Sequence, residues 1–210
     1  MPGFVFLGPP GAGKGTQATR LARERGLLHL STGDVLRAAV AEGTALGREA
    51  EGFMNRGELV PDALVIRIVQ ARLTGADARD GFILDGFPRT AAQAEALDAV
   101  AHIDRVLSFE LPESYLLDRL TQRRHCPTCG TVYNLATAPP KQDPGRCDKE
   151  GEALLQRADD RPEAVKTRLE AYRRLTAPLV EYYRRRGVLV AVEATGTPEE
   201  VAERIRNSLR

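Results

Sequence analysis

The stretch GPPGAGKGT, residues 8–16, has residue types and a spacing that can bind phosphate. Its glycines let the backbone fold around an anion, and the ammonium group of Lys14 can reach the terminal phosphates of a bound molecule. A hydroxyl residue usually follows this lysine and holds magnesium, but here Gly15 follows and Thr16 comes one residue later. The loop therefore predicts phosphate binding with a metal arrangement unlike that of GTP switches and ATPase motors.

Apolar runs of strand length alternate with segments of helical period, and these elements must position the loop. The runs lie at 4–7, 27–30, 82–85, 106–111 and 188–192. The helical segments lie at about 14–24, 34–42, 46–56, 61–74, 90–101, 112–124, 160–185 and 198–209. Such alternation indicates a parallel sheet with helices on both faces. The phosphate loop then connects the first strand to a helix that begins near Lys14, which is the context that the motif requires.

Local signals refine this pattern. Asp160 is a candidate helix cap because Pro162 and Glu163 follow it, and Pro178 should kink or divide the long helix. The segment from about 125 to 158 is rich in Pro, Gly, Cys and Asp, and it predicts an irregular insertion.

Composition limits the function classes. The 210 residues suit one domain with excursions, and Lys+Arg 30 against Asp+Glu 29 gives a net charge of +1. This balance lacks the basic field that drives binding to nucleic acid or membranes, so we expect a small polar substrate and neither of those partners. No apolar run approaches the length of a membrane span and no signal peptide is recognisable, so we expect a soluble cytoplasmic protein.

Several further motifs follow the loop in a specific order. They are LSTGDVLR at 30–37, LVPD at 59–62, LDGFPRTAAQA at 84–94 and RADDRPEAVKTRL at 157–169. Taken together from residue 4 to the C-terminus, the chain resembles the adenylate kinase family. The resemblance implies transfer of the γ-phosphoryl group of ATP, bound with Mg²⁺, to AMP, which gives two ADP. It also implies the P-loop nucleoside monophosphate kinase fold and a monomer.

The same resemblance divides the chain into a core and two mobile flaps. The core comprises residues 1–30, 61–122 and 161–210. A flap for the nucleoside monophosphate covers 31–60, and a lid covers 123–160.

The resemblance also assigns roles to individual residues. The catalytic set is Lys14, Asp85, Arg89, Arg123, Arg157 and Arg168. The ATP-binding set is Gly11, Ala12, Gly13, Lys14, Gly15, Thr16, Arg123, Val132, Tyr133 and Gly196. The AMP-binding set is Thr32, Arg37, Glu58, Leu59, Val60, Gly86, Phe87, Pro88, Arg89, Gln93, Arg157 and Arg168.

Residue chemistry agrees with these assignments. Phosphoryl transfer needs positioning and charge neutralisation, which one lysine and several arginines supply. Arg89 follows a strand at the edge where open α/β sheets bind ligands, and Asp85 at the end of that strand could position magnesium through its water. Arg119 and Arg124 are further candidates for phosphate binding, and a surface ion pair is the alternative role for each. Asp34 is interpreted as a helix cap.

The identity of the acceptor depends on smaller signals. Thr32 and Gln93 match adenine-contacting positions of the family, and a glutamine amide can pair with a purine edge through its donor and its acceptor. Pyrimidine monophosphate kinases share the loop and DGFPR, so they remain the alternative function. A zinc-ribbon module for nucleic acid is a second alternative, but the near-zero net charge and 5% aromatic content argue against it.

Three cysteines lie close together in the insertion. Cys126 and Cys129 form C-x2-C, and Cys147 follows at a spacing typical of paired zinc knuckles. Family members with a zinc lid commonly carry Cys or Asp where this chain has Glu150, which keeps an oxygen ligand. We favour a structural Zn²⁺ held by the three cysteines and Glu150, with His125 as the competing fourth ligand. Three reduced thiols without metal are the alternative.

Overall fold

The computed structural model describes residues 2–209, so the outer limits of the predicted core, Met1 and Arg210, lie outside it. In chain order its strands are β1 (Gly3–Leu7), β2 (Leu28–Ser31), β3 (Phe82–Asp85), β4 (Arg105–Glu110), β5 (Arg123–His125), β6 (Val132–Asn134) and β7 (Leu189–Glu193). The α-helices are α1 (Lys14–Arg25), α2 (Thr32–Ala41), α3 (Ala45–Arg56), α4 (Asp62–Leu73), α5 (Ala91–Asp98), α6 (Ser114–Thr121), α7 (Pro162–Ala171), α8 (Pro178–Arg185) and α9 (Pro198–Ser208).

Five strands form one parallel sheet in the order β2-β3-β1-β4-β7, which confirms the predicted α/β class and the five-stranded sheet flanked by helices. Every residue of β1 is buried, as expected for the central strand of a sheet covered on both faces. Phe4 and Phe6 pack on one face with residues of α1 and α9, whereas Val5 and Leu7 pack on the other with residues of α4, α5 and α8. Each large apolar side chain that is buried in this way contributes about 1.5–3 kcal/mol.

The strand order also fixes where a ligand can bind. β1 lies between β3 and β4, so the chain leaves the carboxyl end of β1 at a point where the strand order reverses. Ligands of open α/β sheets bind in the crevice at such a point. The glycine-rich loop after β1 and the GFPR segment after β3 both lie at this edge of the sheet.

Two helix starts differ from the predictions. α2 begins at Thr32 because the Ser31 hydroxyl accepts the backbone N–H of Asp34 at 3.3 Å, so Ser31 rather than Asp34 is the cap. α7 begins at Pro162 with Arg161 at the N-cap, and the predicted capping role of Asp160 is wrong because its carboxylate binds arginine side chains instead.

The predicted long helix is divided as Pro178 indicates. A π-helical turn occupies Tyr172–Thr176, where the N–H of Ala177 donates to the carbonyl of Tyr172 at 2.8 Å. Pro178 has no N–H to continue the ladder, and a new helix begins with it.

The predicted insertion contains a small amount of regular structure. β5 and β6 pair in antiparallel fashion, and a bridge joins His125 to Leu155. Two further bridges join Asn134 to Ala138 and Arg146 to Ala153, and most of the remainder is turns and bends, in agreement with its Pro and Gly content. No helix among residues 2–209 combines the length and apolarity needed to cross a bilayer.

Residues 31–60 approach α7 at Gly57, and only a glycine fits there. Gly57 ends α3 with φ 73°, and a Cβ atom at this position would lie 2.3 Å from the carbonyl oxygen of Ala164. Gly43 has a similar φ of 63°, but a Cβ atom there would have no neighbour within 4 Å among residues 2–209. Substitutions at Gly43 and Gly57 therefore share the cost of a positive φ, but only a substitution at Gly57 also creates a steric clash.

We predict that Gly57→Ala lowers the free energy of unfolding more than Gly43→Ala does. The positive φ alone should cost about 1 kcal/mol in either variant, and the contact with Ala164 should add to this only at Gly57. Urea denaturation of both variants measures the difference. Equal losses would contradict the close approach of residues 31–60 to α7.

Candidate active site

The loop between β1 and α1 presents backbone donors and one lysine. Gly11 and Gly13 have φ of 86° and 89°, and Lys14 is the first residue of α1. No side chain within residues 2–209 caps this helix, and its first turn carries no acidic residue. The N–H groups and the positive end of the helix dipole are therefore left for an anion. Thr16 is exposed on the first turn.

Lys14 is half-buried and lies beside other cations. Its Nζ donates to the carbonyl oxygens of Gly8 and Pro9, both at 2.8 Å. Burial and, to a smaller extent, the charges of nearby arginines lower the pKa of Lys14 to about 8, against the attraction of Asp85. The charge of the ammonium group is thus poorly compensated by its surroundings.

The arginines predicted to bind phosphate converge around the same loop. They are Arg37, Arg89, Arg123, Arg157 and Arg168. Burial, with the charge of Arg168 next in importance, lowers the pKa of Arg89 to about 10. Burial also lowers the pKa of Arg157 to about 10, with contributions from Arg37 and Arg123. Neighbouring guanidinium groups therefore destabilise the charged forms of Arg89 and Arg157, and a polyanion would relieve this repulsion.

Two adjacent acidic residues hold part of this cluster. The carboxylate of Asp160 is 0% exposed, and it accepts Arg123 Nε at 2.7 Å and Arg168 Nη1 at 2.9 Å. Asp159 Oδ2 lies 3.1 Å from Arg168 Nη1. Burial opposes ionisation of Asp159, but the positive charges, led by Arg168, outweigh it and lower its pKa. The sequence alone did not predict that Asp159 and Asp160 bind these arginines, although the run RADDR places the two acids between arginines.

Asp34 has a comparable role on the other side of the site. Its Oδ1 accepts Arg37 Nη2 at 2.5 Å and lies 3.7 Å from Arg157 Nη2. It therefore links an arginine of the segment 31–60 to one of the segment 123–160. The sequence interpretation of Asp34 as a helix cap missed this ion pair.

The end of β3 forms the floor of the site. Asp85 is almost buried, and its Oδ2 would lie 3.0 Å from a Cβ at Gly15, so the carboxylate borders the phosphate loop. His29 Nε2 lies 3.8 Å from the same oxygen. Asp85 is therefore close to where the loop would hold phosphates.

The predicted acceptor residues surround the segment after β3. Thr32 Oγ1 donates to the carbonyl of Gly86 at 2.9 Å, and Arg89 Nε donates to the same oxygen at 2.7 Å. Thr32 and Gln93 are each 2% exposed. Phe87, Pro88 and Val60 are buried, Leu59 is half-buried, and Glu58 is exposed and paired with Arg56.

The predicted ATP-adenine residues fall in two environments. Val132 is 44% exposed, but the Tyr133 side chain is buried with Cys126 and Cys147, so the structure turns it away from solvent. Gly196 is exposed in the loop after β7. Arg119 Nη1 donates to the carbonyl of Ala194 at 3.2 Å, which places this guanidinium beside the same loop. Arg124 instead bonds the carbonyls of Thr121 and Arg123.

The three cysteines come together in the segment 123–160. All are free, and their Sγ atoms lie within 4.8 Å of one another. The Cys129 N–H points to Cys126 Sγ at 3.5 Å, and the N–H groups of Lys149 and Glu150 point to Cys147 Sγ. Such N–H groups stabilise thiolates that bind a metal. The side chains of Glu150 and His125 are not part of this group of ligand atoms.

Comparisons with known proteins agree on one family. A family model described as adenylate kinase matches residues 6–188. An adenylate kinase of Thermodesulfovibrio yellowstonii is 51% identical over 203 residues, which cover 94% of each chain. One from Archaeoglobus fulgidus is 52% identical over 207 residues, which cover 96% of this chain and 95% of the relative.

The burial of Lys14 predicts a specific pH dependence of stability. In the folded protein this lysine loses its proton near pH 8, whereas an unfolded chain keeps it to the ordinary pKa of 10.5. Between these values the unfolded state binds more protons, so raising the pH should stabilise the wild type relative to Lys14→Met. Below about pH 8 the difference between the two proteins should be constant.

Urea denaturation of ligand-free protein at several pH values from 7 to 10.5 tests this prediction. Lys166→Met, which replaces an exposed lysine of α7, is the control and should stay parallel to the wild type. A pH-independent difference between wild type and Lys14→Met would show that the ammonium group is well solvated.

Proposed function

The chain belongs to the adenylate kinase family, and on that premise we propose how its own residues perform the family's reaction. Adenylate kinases transfer the γ-phosphoryl group of ATP to AMP and give two ADP, and this chain is such an ATP:AMP phosphotransferase. The pyrimidine monophosphate kinase alternative is not favoured, because the relatives carry the adenylate kinase name over nearly the whole chain.

The main support for the residue roles is the unbalanced positive charge around the glycine-rich loop, residues 8–16. We assign the phosphates of ATP to the loop N–H groups of Gly11 to Thr16 and to Lys14. Within residues 2–209, the hydrogen-bond acceptors of Lys14 Nζ are the neutral carbonyl oxygens of Gly8 and Pro9, which a phosphate oxygen can replace. Val132, the backbone of Tyr133 and Gly196 are the proposed contacts to the adenine of ATP, together with Arg119.

We assign the AMP phosphate to Arg37 and Arg89, and the AMP base to Thr32 and Gln93. The backbone groups of Glu58, Leu59 and Val60 and the segment Gly86 to Pro88 complete this pocket. Its support is the burial of Thr32 and Gln93 next to a guanidinium that already has a lowered pKa.

Arg123, Arg157 and Arg168 are the proposed groups that neutralise the transferring phosphoryl group. Phosphoryl transfer proceeds with charge spread over the equatorial oxygens, and preorganised cations stabilise that charge without moving during the reaction. Asp159 and Asp160 fix Arg123 and Arg168 before substrate binds. A phosphate oxygen of AMP is itself the nucleophile, so no protein side chain needs to be one.

We further propose that the segments 31–60 and 123–160 act as flaps that close over the two nucleotides. The ion pair between Arg157 and Asp34 and the approach of Gly57 to α7 support this assignment. Closure would exclude water, which otherwise competes with AMP for the phosphoryl group.

Adenylate kinases use Mg²⁺ with ATP, and this ion supplies charge neutralisation on the phosphates. Asp85 is the residue that we propose to hold it, because this carboxylate borders the phosphate loop and ends a buried strand.

We propose a structural Zn²⁺ in the lid, held by Cys126, Cys129, Cys147 and Glu150. The three converging sulfurs with their N–H donors fit this ion, and Glu150 follows Cys147 in a turn closed by a 2.8 Å bond from the Gly151 N–H to the Cys147 carbonyl. The lid has only a small apolar cluster, so a metal would supply much of its order.

The proposal also includes a cytoplasmic location and a monomeric working unit. Three free cysteines are compatible with a reducing compartment, and each proposed substrate contact comes from a single chain. Light scattering at working concentration would measure the oligomeric state.

The wild type should convert ATP and AMP to ADP in a magnesium-dependent manner, and Lys14→Met should lower kcat by roughly 10²–10³-fold because a charged donor to the transition state is lost. Coupled assays of both proteins, with Lys166→Met as the control, provide the measurement. Near-normal turnover by Lys14→Met would show that the loop takes no part in the mechanism.

A panel of AMP, UMP, CMP and dTMP as acceptors should show strong preference for AMP.

Elemental analysis of protein purified without chelator should find about one zinc per chain. Cys129→Ser and Glu150→Ala should each lose metal, whereas His125→Ala should retain it. A chelator should lower the Tm of the wild type. Zinc retained in Glu150→Ala but lost in His125→Ala would make His125 the fourth ligand, and absence of zinc after remetallation would reject the site.

A further inference from the structure

We propose that Asp62 is a positioning residue that fixes the direction of the Gln93 side-chain amide and so makes the acceptor site select a 6-amino purine over a 6-oxo purine. The inference rests on the proposed function of Gln93 as a contact to the acceptor base. It adds a residue that does not touch the nucleotide but acts through one that does.

The contacts form a continuous network at the start of α4. Asp62 is the first residue of this helix, and its Oδ1 accepts Gln93 Nε2 at 2.7 Å. Its Oδ2 accepts the Thr90 hydroxyl at 2.8 Å. On the other side of the amide, Gln93 Oε1 accepts the backbone N–H of Arg89 at 2.8 Å. The glutamine is thus held at both of its polar atoms.

The chemistry of the two neighbours allows only one orientation of the amide. An ionised carboxylate can only accept a hydrogen bond, so the atom that faces Asp62 must be the nitrogen. A backbone N–H can only donate, so the atom that faces Arg89 must be the oxygen. The usual ambiguity between the oxygen and nitrogen of a glutamine is therefore absent here.

A fixed amide distinguishes between purines. Gln93 has one N–H and one oxygen lone pair left for a ligand. A 6-amino purine offers a donor at C6 and an acceptor at N1, whereas a 6-oxo purine offers an acceptor at C6 and a donor at N1. A glutamine that can turn over would match either base, but one whose direction is fixed matches only one of them in a given pose.

Turning the amide over would be unfavourable at both ends. The oxygen would face the Asp62 carboxylate and the nitrogen would face the Arg89 N–H, in a position that is 2% exposed. Buried polar groups that lose their partners lower affinity by roughly tenfold or more each. A neighbour at position 62 that can donate as well as accept no longer requires the nitrogen to face it, so the direction of Gln93 should become less certain.

Asp62→Asn is the sharpest test because it preserves size while replacing a pure acceptor by a group that can donate or accept. The measurement is kcat/KM for AMP and for inosine monophosphate (IMP), the 6-oxo analogue, with ATP as donor. We expect the AMP-to-IMP ratio to fall roughly tenfold or more, with the KM for ATP unchanged. Asp77→Asn is the matched control. Asp77 lies on the surface just after α4 and accepts a 2.6 Å hydrogen bond from Arg72 of that helix.

A double-mutant cycle with Gln93→Leu shows whether Asp62 acts through the glutamine. Gln93→Leu should itself lower the AMP-to-IMP ratio, and Asp62→Asn should then cause no further loss. A purely structural role of Asp62 would instead lower the Tm and reduce activity with both acceptors equally, so an unchanged ratio in Asp62→Asn would overturn the proposal. An additive loss in the double variant would also overturn it. An unchanged ratio in Gln93→Leu would reject the base-reading role of Gln93, and this inference with it.

Discussion

The fold must hold many positive charges close together at the carboxyl edge of the sheet. One lysine and several arginines lie in a partly desolvated space where burial and mutual repulsion lower the pKa values of Lys14, Arg89 and Arg157. Such a group would push the chain apart if it were not anchored. On the proposed assignment, bound phosphates would remove this repulsion, so the same instability would favour their binding.

The fold resists this repulsion in two ways. The sheet places the lysine loop and the Arg89 segment on rigid, fully buried strands that apolar packing on both faces holds in register. Acidic residues hold the remaining arginines, with Asp160 placed between Arg123 and Arg168. These carboxylates do not cancel the charge around Lys14, so the arginines are oriented without being neutralised.

The sequence predicted the features that depend on local burial and backbone geometry, and it missed those that depend on tertiary contacts. Periodicity and the context of the glycine-rich loop identified the five strands and the start of α1, because these depend on burial and local backbone geometry. The roles of Asp34, Asp159 and Asp160 were missed, because each depends on arginines that only tertiary packing brings near. The N-caps of α2 and α7 are Ser31 and Arg161 rather than the predicted Asp34 and Asp160 for a related reason. Several adjacent polar residues can cap a helix, and here both aspartates bind arginine side chains instead. The fourth group beside the three thiols stays a prediction, since an exposed glutamate is not positioned by packing.

A common principle connects the charged site to the proposed base-reading site. In both places a flexible polar side chain gains a definite direction from neighbours that can interact in only one way. Asp160 can only accept, so it orients the forks of Arg123 and Arg168. Asp62 can only accept and the Arg89 N–H can only donate, so together they orient Gln93. Arg89 takes part in both sites, because its guanidinium belongs to the phosphate cluster while its backbone holds the amide. On the proposed assignments, recognition of the acceptor base would be coupled, through Arg89, to the position of the phosphate group that receives the transfer.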